Sequence, residues 1–193
     1  MTRPVPLLAP ALALLGIAVV DLVMPSPEHS LFAAGVLDET AHLLTGLVVL
    51  LALPKPARPF VIGVLVGSVL IDLDHLPALG GWDGLTRNTP RPYSHSFVTP
   101  LLLLGCGLLL SEAKRAAAFG LALGTLAHLG RDLATGSGVS ILWPFTSDAY
   151  HGPYAVYFGS LLLLAAASIL LRRSSRAAPG ARMRTVETRS ARF

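Results

Sequence analysis

Charge is what this 193-residue chain has least of. Asp, Glu, Lys and Arg make up 13% of it, where a soluble domain carries about a quarter. That shortfall, with 53% hydrophobic residues and a mean hydropathy of +0.64, excludes an ordinary soluble domain and points to a membrane protein. Cysteine is scarcer still. The single one, Cys106, sits in an apolar run, so no intrachain disulfide can form and nothing marks it as reactive. The chain also lacks a P-loop, a dinucleotide fingerprint and a G-x-S-x-G elbow, although Ser94 and Ser96 flank His95. A basic surface for nucleic acid is absent too. Residues 172–193 hold seven arginines and one glutamate, or +6, against +4 for the whole chain, so the other 171 residues sum to −2.

What is present is apolar length. A spanning helix needs roughly 20 apolar residues, with about 17 as the lower end. Six runs come near it: 5–24, 39–53, 60–76, 96–111, 115–133 and 153–171. The second and fourth are short and need neighbours or a thinned bilayer. The first follows Arg3 like a signal peptide, but "MPSPEHS" offers no small-x-small cleavage site, so it reads as a retained helix. The expected fold is an all-α polytopic membrane bundle of about six transmembrane helices. It comprises a membrane domain, 1–171, and a basic disordered tail, 172–193, which either lies on anionic lipid or acts as a stop-transfer cluster.

The loops set an orientation. Lys55 and Arg58 fall in one connection and Lys114 and Arg115 in another, while the intervening connections, 25–38, 77–95 and 134–152, hold only Arg87 and Arg91. Positive loops stay in the cytoplasm. The expectation is a multi-pass protein of the inner (plasma) membrane with both termini cytoplasmic.

Ionisable residues then gather at one level. In "GVLVGSVLIDLDHLP" a neutral run ends in Asp72, Asp74 and His75. Asp38 reads as the cap of the second helix, with His42 in its first turn or so. His95 opens the fourth helix; His128 and Asp132, four apart, share a face of the fifth. All lie toward the extracytoplasmic side. Interhelical hydrogen bonding or capping would account for any one histidine. Together, four histidines and three aspartates at one depth point to a shared site, because charges in spans are costly. Imidazole with carboxylate suits zinc, manganese or iron. A catalytic zinc takes about three protein ligands, so seven candidates allow one or two ions, with Asp74 and Asp132 as candidates to orient a histidine. Arg91 is a candidate to hold substrate phosphate. Arg131 is expected to point away from His128, and His29 and His151 read as loop residues. A proton relay would use the same residue types, but would need polar groups on both sides of the midplane, where the inner halves of these helices are nearly bare.

In order, "AHLLTG", "IDLDHLP", "RPYSHS", "HLGRD" and "LWPF" resemble the bacterial and archaeal family of membrane-bound metal-dependent hydrolases labelled LexA-binding inner-membrane-associated hydrolases. The likeness spans about residues 40–146. Ser94 stands where the family often has threonine, and the spacing from Arg91 to His95 is slightly long. The resemblance implies a site of His42, Asp72, Asp74, His75, Arg91, His95, Ser96, His128 and Asp132, closed by the turn at 143–145. More remotely, the family is similar to the zinc-dependent phospholipase C and P1-nuclease group, which implies phosphate esters as substrates. The resulting expectation is a divalent-metal hydrolase, with Zn²⁺ preferred over Mn²⁺ or Fe²⁺. Metal ligands would be His42, Asp72, His75, His95, His128 and Asp132, and Asp74, Arg91 and Ser96 would assist catalysis. Its partners would be membrane lipids, including a lipid-phosphate substrate, and no nucleic acid; oligomeric state is left open. A non-catalytic metal-binding protein and an ion or proton transporter are the alternatives.

Overall fold

The computed structural model describes residues 8–26 and 30–177, with side chains through Arg172. The described residues form helices and loops, with one isolated bridge, Val139 to Tyr150. The helices are α1 (Leu8–Val23), α2 (Leu31–Ala52), α3 (Arg58–Gly67), a 3₁₀ segment (Leu70–His75), α4 (Leu76–Leu79), α5 (Val98–Leu108), α6 (Glu112–Thr135) and α7 (Tyr154–Ala177).

Three stretches are long and apolar enough to cross a membrane: Leu31–Ala52, Arg58–Leu79 and Tyr154–Arg172. Many of their leucines, among them Leu31, Leu70, Leu76, Leu162 and Leu163, are exposed as lipid-facing residues are. Helices α1 and α5 are equally apolar but, at 16 and 11 residues, shorter than a full span. Helix α6 has the length, at 24 residues, but carries Arg131 and Asp132 at its end. It is wrapped by its neighbours, packing against α2, α3, α5 and α7. Six helical bodies therefore stand where six runs were expected, three of which meet the full length and hydropathy of a span. α7 stays helical through Ala177, past the expected boundary at 171. The rest of the basic tail, and His29, lie outside the described residues.

α2 starts earlier than its apolar run. Ser30 caps it, its hydroxyl accepting from the Ala33 amide at 3.2 Å, which satisfies one of the unpaired donors of the first turn. Asp38 is therefore not a cap but a residue inside the helix. His42 sits eleven residues into the helix, about 16 Å along its axis at 1.5 Å per residue. The site is accordingly enclosed by the helices, with His42, His95, His128 and Asp132 buried.

The closest packing joins α3 to α6. Gly63 and Gly67 on α3 face Gly120 and Gly124 on α6, and a Cβ on any of them would strike the backbone of the other helix. Small residues four apart let two helix backbones touch, the usual device where lipid supplies no hydrophobic drive for association. This contact brings the end of α3, with Ser68 and the following Asp72, alongside His128 and Asp132. A second core joins α1, α2 and α7 through Ile17, Val48, Tyr157 and Leu161, with Thr45 and Tyr157 sharing a hydroxyl hydrogen bond at 2.6 Å.

Candidate metal centre

The 3₁₀ segment decides where the D-x-D-H acids point. At three residues per turn, positions three apart eclipse, so Asp72 and His75 share an edge, with Asp72 Oδ1 3.5 Å from His75 Nε2. Asp74 projects from another edge, where it accepts from the Ser94 hydroxyl and lies 3.5 Å from His95 Nδ1.

His95 belongs to no helix; two loops hold it. The ring of Tyr93 stacks on Trp143 at 4.6 Å, and the Phe97 amide donates to the Ile141 carbonyl at 3.0 Å. The loop before α5 is thereby tied to the one before α7. The ring is buried between two acids, its Nε2 2.9 Å from Asp72 Oδ1 and its Nδ1 toward Asp74. Burial alone would lower this imidazole's pKa; the carboxylates of Asp72 and Asp74 outweigh it and hold the pKa above the ordinary histidine value.

α6 supplies the opposite wall. His128 Nδ1 is 3.1 Å from the Ser68 carbonyl. A carbonyl only accepts, so Nδ1–H donates to it and Nε2 is turned toward the acids. That nitrogen lies 3.1 Å from Asp132 Oδ2 and 3.4 Å from Asp72 Oδ1. His42 stacks on His128 with centroids 3.6 Å apart, and its Nε2 is 3.3 Å from Asp132 Oδ1. Arg91 reaches in from the loop, Nη1 3.1 Å from Asp132 Oδ2. Both oxygens of Asp132 and the Nε2 of His128 are shielded from solvent yet make no hydrogen bond of good geometry. Such orphaned groups are expensive in a low-dielectric interior.

The structure thus brings His42, Asp72, Asp74, His75, Arg91, His95, His128 and Asp132 into one cluster. Ser96 is the exception in the expected set. It is fully buried, but its hydroxyl donates to the Tyr93 carbonyl at 2.8 Å, so it fastens the turn carrying His95 instead of facing the acids. His151 is exposed, its ring against Gly138.

Two groups carry more than sequence reading gave them. Arg131 does point away from His128, but it is fully buried and forms a hub: Nη1 donates to Asp21 Oδ1 at 2.7 Å and Nη2 to Asp38 Oδ1 at 3.4 Å. Tyr154 donates to the other Asp21 oxygen at 2.7 Å. An acid inside the first apolar run, Asp21, and an arginine inside the fifth, Arg131, are the signal that could have exposed this network. Glu39, adjoining Asp38 on α2, is the second, with a solvent-shielded Oε2 lacking a hydrogen bond.

Three sets of side chains offer ligand atoms that all lie within 4.8 Å of one another: Asp72, His95, His128 and Asp132; Asp74, His75 and His95; and Asp38, His42 and Asp72. The family model of the YdjM inner membrane protein matches residues 37–188, well over half the chain and every member of these sets, though not Asp21. The chain belongs to the YdjM inner membrane protein family. This agrees with the inner-membrane part of the resemblance drawn from the motifs. No curated protein and no solved structure matches the chain.

Proposed function

We propose that this inner membrane protein is a metal-dependent hydrolase whose ion is held by Asp72, His95, His128 and Asp132, and that it cleaves a phosphoester, lipid-linked in the simplest case. The observation that carries the reading is the spacing within that four-residue set. Ligands about 2.0–2.2 Å from a tetrahedral ion stand roughly 3.3–3.6 Å from one another, whereas hydrogen-bonded pairs stand about 2.7–3.2 Å apart. Asp72 Oδ1 and His128 Nε2 are 3.4 Å apart, and His95 Nε2 and Asp132 Oδ2 3.6 Å. Two other edges, 2.9 and 3.1 Å, are shorter, as expected before a cation enters, and every pair in the set lies within 4.8 Å. Atoms of Asp132 and His128 that lack a hydrogen bond of good geometry fit the same reading. Mixed imidazole and carboxylate donors favour zinc, with manganese or iron as substitutes.

A divalent cation there would supply a Lewis acid and, with a fifth position added to the four protein ligands, acidify a bound water. The protein's own groups do the rest. Asp74 holds His95 from behind. Arg91, against Asp132, provides a guanidinium whose fork suits phosphate oxygens. His75, with a side chain 33% accessible, is the most open of the four imidazoles and the first that a substrate would meet. With the basic loops in the cytoplasm, the cluster falls on the extracytoplasmic side below the headgroups, which suits a substrate anchored by acyl chains.

The test is hydrolysis by the purified protein in lipid–detergent micelles with Zn²⁺ or Mn²⁺. Phosphate or headgroup should be released from at least one lipid phosphoester, and His95→Ala should abolish this without loss of monodispersity. A metal-loaded protein inert on a broad phosphoester panel would favour a non-catalytic metal-binding role. Ion flux in liposomes would favour transport.

A further inference from the structure

We propose that a second divalent cation binds beside the first, held by Asp38, Glu39 and His42 of α2, with Asp72 as a carboxylate bridging the two ions. This rests on the first centre being a metal site, and it adds a ligand, Glu39, that the motif reading passed over.

The sequence D-E-x-x-H puts the three α2 residues on one helix face, since positions three and four apart are neighbours. The face is turned inward. His42 is fully buried, and neither of its ring nitrogens makes a hydrogen bond of good geometry. Its Nε2 lies 3.7 Å from Asp38 Oδ1 and 4.0 Å from Asp72 Oδ2. These gaps are too long for hydrogen bonds and near the separation of ligands about a shared ion. Glu39 lies near enough to Asp72 for the two carboxylates to feel each other, and its Oε2 is sealed from solvent without a hydrogen bond. Abutting carboxylates repel unless a proton or a cation lies between them. Both nearby guanidiniums are already engaged, Arg131 with Asp21 and Asp38 and Arg91 with Asp132.

Asp72 divides its oxygens accordingly. Oδ1 collects His75, His95 and His128 at 3.5, 2.9 and 3.4 Å, while Oδ2 faces His42. One oxygen to each ion is the bridging mode of paired-metal sites, whose ions lie about 3.5–4 Å apart. The set of Asp74, His75 and His95 does not make a third site. A neutral imidazole has one lone pair; with Nε2 of His95 committed to the first centre, its Nδ1–H is left to donate to Asp74.

Manganese separates the outcomes, because a carboxylate bridge couples two Mn²⁺ spins. Metal-stripped full-length protein is titrated with Mn²⁺ and followed by equilibrium dialysis and electron paramagnetic resonance. Wild type should take up two ions per chain with an exchange-coupled spectrum. Glu39→Gln, close in shape, should take up one ion with an isolated six-line signal. Should Glu39→Gln aggregate, Glu39→Asp serves, with the second ion bound at least tenfold more weakly. One uncoupled ion in wild type overturns the second site and leaves the first standing. No bound ion in wild type overturns both.

Discussion

Replacing Gly124 with alanine adds one methyl group to α6, yet it should be among the most damaging small changes in the protein. The new Cβ would stand 2.8 Å from the Ser68 amide nitrogen and 3.0 Å from the Gly67 carbonyl carbon, and would press on the Val64 carbonyl oxygen. Carbon contacts settle at about 3.5–4.0 Å, so the helices must part by roughly 1 Å. The obstruction is backbone, so no rotamer change relieves it. Overpacking of this kind costs about 1–3 kcal/mol. Gly130, on the same helix, has nothing within 4 Å of an added Cβ. There alanine should stabilise by about 0.5–1 kcal/mol, the helix-propensity gain over glycine. The two variants should therefore differ by about 1.5–4 kcal/mol with opposite signs, read by reversible unfolding in mixed detergent micelles. The same parting would widen the 3.4 Å gap between Asp72 and His128. Metal–ligand distances tolerate only about 0.2 Å, so metal affinity in Gly124→Ala should fall about tenfold or more. Equal stability of the two alanine variants would refute the backbone contact and the account of how Asp72 reaches α6.

Three further outcomes follow from the site. Arg131→Gln should destabilise the protein by about 1–3 kcal/mol, the cost of leaving the half-buried Asp21 and Asp38 without their charged donor, and Asp21→Asn by less, because Tyr154 still donates to that side chain; unfolding of the single and double variants gives the coupling. Asp74→Asn should keep the metal count but weaken affinity about 10- to 100-fold, because His95 loses the charged acceptor that orients it, as competition with a chelator would show. With its pKa raised by Asp72 and Asp74, His95 steadies the metal-free fold at low pH, and that contribution is lost as pH rises through its folded value. Metal binding must expel the same proton, so affinity should rise with pH over that window and calorimetric heats should depend on the buffer's ionisation enthalpy.

The membrane class and the cluster members could be read from the chain because ionisable residues inside apolar runs are rare enough to stand out. His42, Asp72, His95, His128 and Asp132 come from four separate segments, and only their shared depth links them in sequence. Asp38 looks like a helix cap, and its half-buried place inside α2 is paired with Arg131, 93 positions away, which no local pattern shows. The reach of Asp74 toward His95 needs a 3₁₀ turn, which side-chain periodicity in an α-helix does not anticipate. Ser96 sits in a motif beside His95, but only the folded turn shows its hydroxyl spent on Tyr93. The signal for the α3–α6 contact was present and went unread: "GVLVG" and "GLALG" are both small-xxx-small. Glu39 was overlooked because an acid next to a supposed cap looks solvated.

Metal content of the detergent-purified protein, wild type beside Asp72→Ala, tests the central claim most directly, since Asp72 touches every proposed ligand set except the one assigned to orienting His95. Stoichiometric zinc or manganese in wild type and its loss in a still-monodisperse Asp72→Ala is the expected result. Near-zero metal in both, after growth and refilling with either ion, would contradict the claim that these side chains converge to hold a cation.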